Sequence, residues 1–285
     1  MFRLVVCDLD NTLYDWVSYF VPSFYVMVEK VVGITGWDRE QLLDDLQKVH
    51  QKHHDCEHPF ALLETALVKE MFPNGNLQRA KAYFDDAFHA FNSMRKQKLK
   101  TFPMVPETLD TLKMNELRLV AHTEAKFHAV VDRLRRLDLM RHFERVFCRE
   151  RAVSQHPNGL SDEQWLNEFP TERITELSHH QRKPDPSVLR EICGLVGVEP
   201  SQTVYIGDSI AHDIKMANAA GAFSIFAEYG TKRDPSDWDR LVRVTHWTRE
   251  DVARETELRE AAKSVEANFV AKDCFSEILI PLSLR

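Results

Sequence analysis

Residues 2–13 read Phe2-Arg3-Leu4-Val5-Val6-Cys7-Asp8-Leu9-Asp10-Asn11-Thr12-Leu13. A short apolar run ends abruptly in two carboxylates. Such a run reads as a buried strand that delivers its polar end to one edge of a sheet. The pattern recurs where residues 117–121 (LRLVA) meet His122-Thr123, and where residues 203–206 (TVYI) meet Gly207-Asp208. It recurs again where residues 222–227 (AFSIFA) meet Glu228-Tyr229-Gly230, and residues 145–148 (RVFC) are a candidate fifth strand. Helical stretches separate these runs. In the clearest unit, 208–227, Ile210, Ile214 and Ala217 lie at helical spacing, Gly221 suits a helix end, and a strand follows at once. The expected fold class is α/β, with a doubly wound parallel sheet.

Between the first and second strands lie about a hundred residues of different texture. Helical patterns at 16–32, 38–54, 60–72 and 77–97 are separated by Gly33-Ile34-Thr35-Gly36, His58-Pro59 and Pro73-Asn74-Gly75. The expected division is a Rossmann-like core of residues 1–15 and 100–250, a helical cap of 16–99 over the sheet's carboxyl edge, and a C-terminal extension of 251–285. Ligands of open α/β sheets bind at that edge. Residues 150–182 are polar and long for a connection, so part of them reads as a lid or an insertion. The tail, with Phe269, Phe275, Ile278 and Leu279, is apolar enough to dock on the core.

Composition narrows the class. The 285 residues are 44% hydrophobic and 28% charged, which excludes a wholly disordered chain. Lys plus Arg number 37 against 44 Asp plus Glu, a net charge of −7, so no nucleic-acid polymer is expected as a partner. The 5 cysteines are scattered without a CxxC pair, which fits a reducing cytoplasm better than a disulfide framework. The apolar stretch Val17–Val28 is broken by Ser18, Pro22 and Ser23 and is shorter than the ~20 residues of a membrane span. No signal-peptide pattern opens the chain.

The strand ends carry the chemistry. Asp8 and Asp10 repel each other unless a cation or a shared proton relieves them, although Asp and Asn also serve ordinary turns. Thr123 offers a hydroxyl, with a helix N-cap as its plainer role. In Arg182-Lys183-Pro184-Asp185-Pro186, Pro184 biases Lys183 towards an extended backbone and Pro186 suits the first turn of a helix. A lysine at a helix N-terminus suits a phosphate, while a solvated surface position is the commoner fate of lysine. Gly207-Asp208-Ser209-Ile210-Ala211-His212-Asp213 adds two carboxylates, an oxygen-rich set suited to Mg²⁺.

In this order, DxDxT, Thr, Lys-Pro and GDxxxxD resemble the haloacid dehalogenase superfamily. The helical stretch after the first strand looks like that superfamily's helical cap. The resemblance implies Asp8 as nucleophile and Asp10 as general acid/base, the latter also lending a Mg²⁺ ion its backbone carbonyl. It implies Thr123 and Lys183 as phosphate-binding groups, Asp8, Asp10 and Asp208 as the metal set, and Asp213 as support for Lys183 or the metal. The chemistry is consistent. A carboxylate that attacks phosphorus splits one hard displacement into two easier steps, and a nearby carboxyl can serve both proton transfers. Asp10 resembles the phosphatase branch, because a halide leaving group needs no proton. Glu124 departs from the Asn or Gly that often follows the threonine; it either points away from the phosphate or narrows the substrate range.

The expected function is therefore a Mg²⁺-dependent phosphohydrolase of a small phosphorylated metabolite, acting through an aspartyl phosphate. A 2-haloacid dehalogenase and a non-catalytic interaction protein are the alternatives. Sugar phosphates, phosphoglycolate and nucleoside monophosphates all remain open. The aromatic run Trp16, Tyr19, Phe20, Phe24 and Tyr25 tilts slightly towards a nucleotide, against a plainer role as helix core. His50 and His54, spaced i,i+4 in a His-rich segment, could bind zinc, but no second ligand pair follows.

Overall fold

The computed structural model describes residues 1–58, 60–73, 75–151, 170–178, 180–232 and 234–284. The strands are β1 (Leu4–Cys7), β2 (Arg118–Lys126), β3 (Arg145–Arg149), β4 (Ile174–Leu177), β5 (Thr203–Gly207), β6 (Phe223–Ala227) and β7 (Phe269–Ala271). They form one parallel sheet in the order β4-β3-β2-β1-β5-β6-β7. β1 is central, and all four of its residues are buried. Its side chains alternate, so Leu4 and Val6 join one apolar cluster while Val5 and Cys7 join the other. The chain builds outward from β1 through β4, then returns to its other side with β5. The order therefore reverses beside β1, and that crevice is where such sheets hold ligands.

Helices α1 (Trp16–Thr35), α2 (Arg39–His53), α3 (Ala66–Met71), α4 (Leu77–Tyr83) and α5 (Asp85–Lys98) lie between β1 and β2. Asp15 caps α1 by accepting from Ser18 N at 2.9 Å, and Gly36 ends it with φ 71°. At 20 residues α1 is longer than the sequence suggested and apolar enough to cross a membrane. Its Val17, Tyr19, Phe20, Val21, Phe24 and Val28 are instead buried in the molecule. The expected helix 60–72 is broken by the extended Thr65, which divides a short 3₁₀ turn, Ala61–Glu64, from α3. The expected helix 77–97 breaks at Phe84, a fully buried side chain that packs against Trp37 and Phe72.

Helix α6 (Val105–Met114) precedes β2, and after that strand come α7 (Phe127–Arg136), α8 (Pro186–Val196), α9 (Lys215–Ala220), α10 (Pro235–Val244) and α11 (Arg249–Ala261). Val188, Leu189, Ile192 and Cys193 of α8 and Met216 and Ala217 of α9 cover the Leu4/Val6 face. α6 and α7 cover the other face. A π-helical turn, Ile210–Ile214, leads into α9, which Gly221 ends at φ 90° as its position suggested.

Two strands were not read from sequence. β4 lies in the polar stretch 150–182, whose residues 152–169, the centre of the suggested lid, fall outside the described residues. β7 comes from the expected C-terminal extension and pairs with β6, so residues 269–271 belong to the sheet. Phe275 and Ile278 follow it into the core at 0% exposure.

Candidate active site

Parallel register brings the strand ends together. Cys7 pairs with Ala121 and with Ile206, so Asp8, Thr123 and Asp208 emerge at nearly one level along the carboxyl edge. Asp8 is buried, and its Oδ2 accepts from Thr12 Oγ1 at 3.1 Å. Its Oδ1 meets Lys183 Nζ at 2.5 Å. The same ammonium reaches Asp213 Oδ1 at 2.7 Å. Lys183 arrives from the loop before α8, where Asp185 caps the helix and Pro186 opens it; the Lys183–Pro184 peptide bond is cis.

Asp213 is fixed from behind. Its Oδ2 accepts from Ser209 N at 3.0 Å, and Tyr205 Oη donates to its Oδ1 at 3.3 Å. The π-helical turn is what brings Asp213 back over the end of β5. Gly207 makes this possible, because a Cβ there would collide with the Asp213 carboxylate. Gly230, after β6, likewise lets the backbone close on the carbonyl of Asn11 in the loop after β1.

Oxygens of Asp8, Asp208 and Asp213 lie within 4.8 Å of one another. Burial pushes the Asp8 carboxyl well above the usual carboxylate range; Lys183 opposes this, while Asp213, Asp208 and Asp10 add to it. Burial alone would lower Lys183, but Asp213 and Asp8 outweigh it and hold the amine protonated. One lysine thus faces a crowd of carboxylates. An all-oxygen donor set with surplus negative charge fits a hard divalent cation.

Thr123 lies within β2, which continues to Lys126, so it does not cap α7. It is buried and its Oγ1 accepts from Ala125 N at 3.1 Å. Donation through its hydroxyl proton is a separate capacity, available to a phosphoryl oxygen. Glu124 accepts from Lys183 N at 3.0 Å and from Arg149 Nη1 at 3.0 Å. Its carboxylate is thereby committed to the loop that carries Lys183. A cavity of about 670 Å³ opens beside Asp208 and Ser209, lined also by Phe226, Trp238 and Arg259.

A profile of haloacid dehalogenase-like hydrolases matches residues 2–221. The chain belongs to this family. A second profile, described as HAD-hydrolase-like, matches residues 180–273 and so reaches β7. The hydrolase is 26% identical over 239 residues to the glyceraldehyde 3-phosphate phosphatase of Methanopyrus kandleri, covering 82% of this chain and 87% of that protein. It is 25% identical over 232 residues to phosphoglycolate phosphatase 1 of Pseudomonas aeruginosa, covering 80% of this chain and 70% of the relative. The crystal structure of a 2-haloacid dehalogenase from Pseudomonas syringae pv. Tomato DC3000 superimposes with a TM-score of 0.56 at 20% identity over 99% of both chains. At that identity the likeness is one of fold.

Sequence reasoning on this hydrolase missed Arg133, which meets Asp10, and Glu57, which meets Arg133. Arg133 Nη1 donates to Asp10 Oδ1 at 2.5 Å, and Nη2 donates to Glu57. In the sequence, Arg133 sits among Arg135 and Arg136 and reads as a basic helix end; the apolar positions 127, 130, 131 and 134 were the available sign that it faces inward. The aromatic run gives no stacking platform: Tyr19, Phe20, Phe24 and Tyr25 are at most 3% exposed, and Trp16 stacks on Phe20. The i,i+4 histidine pair does not form a metal site either, because His50 Nδ1 bonds Val244 O at 2.6 Å. His53 and His58 converge instead on the two oxygens of Glu64, each at 2.8 Å. Their rings stack, parallel within 4° at 3.5 Å, and their ligand atoms and those of Glu64 lie within 4.8 Å of one another.

Proposed function

We propose that the protein is a Mg²⁺-dependent phosphomonoester hydrolase that acts on a small phosphorylated metabolite through a phosphorylated Asp8. The observation that carries the reading is the crowding of Asp8, Asp208 and Asp213 about the ammonium of Lys183, with Asp10 near enough to act electrostatically on Asp8. Asp8, Asp208 and the backbone carbonyl of Asp10 would hold the ion, whose charge would offset that of the phosphoryl oxygens.

In the first step Asp8 forms a bond to phosphorus as the ester P–O bond breaks. Asp10 gives the leaving oxygen its proton. In the second, Asp10 takes a proton from water as its oxygen bonds phosphorus, and the bond to Asp8 breaks to release inorganic phosphate. Lys183 and Thr123 orient the transferring group, and Asp213 keeps Lys183 in place. Residues 16–99 act as the cap that selects the organic part. The two phosphatases that match most of the chain favour small organic phosphates as substrates. With the aromatic run buried, the sequence-based tilt towards nucleotides loses its ground. Five unpaired cysteines support a cytoplasmic setting.

The test is phosphate release across a panel of phosphomonoesters, with Mg²⁺ and with excess chelator. Wild-type protein should release phosphate only with the metal, and folded Asp8→Asn should fall to background. Undiminished release from Asp8→Asn would sink the mechanism. Halide release from 2-haloacids without phosphate release from any ester would install the dehalogenase reading.

A further inference from the structure

Arg133 is 1% exposed, which is costly for a permanently charged guanidinium unless each of its donors is met. Here each of its three nitrogens has a partner, and the partners come from three different parts of the chain. Nη1 donates to Asp10 Oδ1 at 2.5 Å in the loop after β1. Nε donates to Tyr19 Oη at 2.8 Å on α1. Nη2 donates to Glu57, in the segment after α2. Glu57 is itself held, accepting from Tyr19 Oη at 2.7 Å and from Trp16 Nε1 at 3.0 Å. The rings of Tyr14 and Tyr19 lie 5.8 and 5.6 Å from the guanidinium carbon and complete its enclosure.

The guanidinium is planar, and its donors form a rigid fork. Fixing the Nη2 and Nε arms on the helical region therefore fixes where the Nη1 arm points. That arm takes Oδ1 of Asp10. An acid/base carboxyl must lie within hydrogen-bond reach of the oxygen it serves, and a 1 Å displacement can cost about 10²-fold in rate.

We propose that Arg133 is the positioning residue for Asp10, and that Glu57 sets Arg133, so that seating of the helical region on the core and placement of the proton-transferring carboxyl are one event. This rests on the phosphatase reading of Asp10. A buried staple with no part in the reaction would use the same contacts, so the test must separate rate from stability.

The experiment compares wild type, Arg133→Met, Arg133→Lys and Glu57→Gln, with folding checked by circular dichroism. Each is assayed on the best alkyl phosphomonoester of the panel and on p-nitrophenyl phosphate, whose leaving group needs little protonation. Arg133→Met should lower kcat on the alkyl ester ~10–10²-fold with KM within about threefold. Phosphoenzyme formation from p-nitrophenyl phosphate should change by less than about threefold, while its hydrolysis slows and the phosphoenzyme accumulates. Arg133→Lys should recover part of kcat, and Glu57→Gln should show a smaller loss of the same kind. If Arg133→Met does not fold, Glu57→Gln decides alone, since it leaves the Arg133–Asp10 pair in place. Equal first-step losses on both substrates, or unchanged kcat in the folded variants of an active enzyme, would overturn the inference and spare the phosphatase reading. A wild-type protein that releases no phosphate from any ester would overturn both.

Discussion

Lys183 sits between Asp8 and Asp213 at 2.5 and 2.7 Å, and its charge depends on that company. Asp213 in turn depends on having space beside it. Gly207 has no positive φ to explain its presence; the reason is the carboxylate where a Cβ would stand. Asp213 cannot yield easily, because Ser209, Tyr205 and Lys183 all hold it. Gly207→Ala should therefore cost about 1–3 kcal/mol of stability, as overpacking does. It should also lower kcat, since Lys183 loses one of its anchors. Denaturant unfolding and phosphate-release kinetics check the two effects, and a fully active, equally stable variant would contradict the account of Asp213.

At the scale of elements, α2 is bound to the chain that follows β6. Arg243 of α10 reaches Glu40 and Asp44 of α2, and His50 at the far end of α2 bonds Val244 O. Burial drives His50 down to about 4 from an ordinary 6.5, against the opposing effect of the Val244 carbonyl. The folded protein thus keeps this ring neutral where the unfolded chain would protonate it. Its contribution is fully present above pH 6.5 and is lost as pH falls through about 4. At about 1.4 kcal/mol per pH unit the loss is at most about 3.5 kcal/mol. Unfolding free energies at pH 7 and pH 4 should therefore differ less for His50→Asn than for wild type. An identical pH dependence in the two proteins would rule out this role.

The whole molecule is built on a seven-stranded sheet, with the candidate site at the point where strand order reverses. Its edge is closed by chain from the far C-terminus. β7 adds to β6, and Phe275 and Ile278 pack into the same core as α6. Replacing a fully buried phenylalanine by alanine costs about 3–5 kcal/mol. Phe275→Ala should lose that much stability in urea while the folded variant keeps wild-type kcat, because Phe275 packs in the core with the C-terminal chain. A loss below about 1 kcal/mol would mean that the tail adds little to the fold.

The sequence by itself determined the strands that are buried on both faces and end in chemistry. β1, β2, β3, β5 and β6 are short apolar runs, and burial on both faces leaves no other composition open to them. It also placed Asp8, Asp10, Thr123, Lys183, Asp208 and Asp213 at the ends of strands and loops, though what joins them is distance in space. β4 and β7 were illegible because edge strands are half-covered and carry mixed composition, as in Ile174-Thr175-Glu176-Leu177. The breaks at Thr65 and Phe84 follow from packing, which overrides a continuous helical pattern. Only the tertiary structure decided that Glu124 serves the Lys183 loop and that the aromatic run is core. It alone brought Arg133, 123 residues beyond Asp10, to that carboxylate. A charged side chain declares its partner through geometry, and local sequence spacing carries no record of a contact made across three elements.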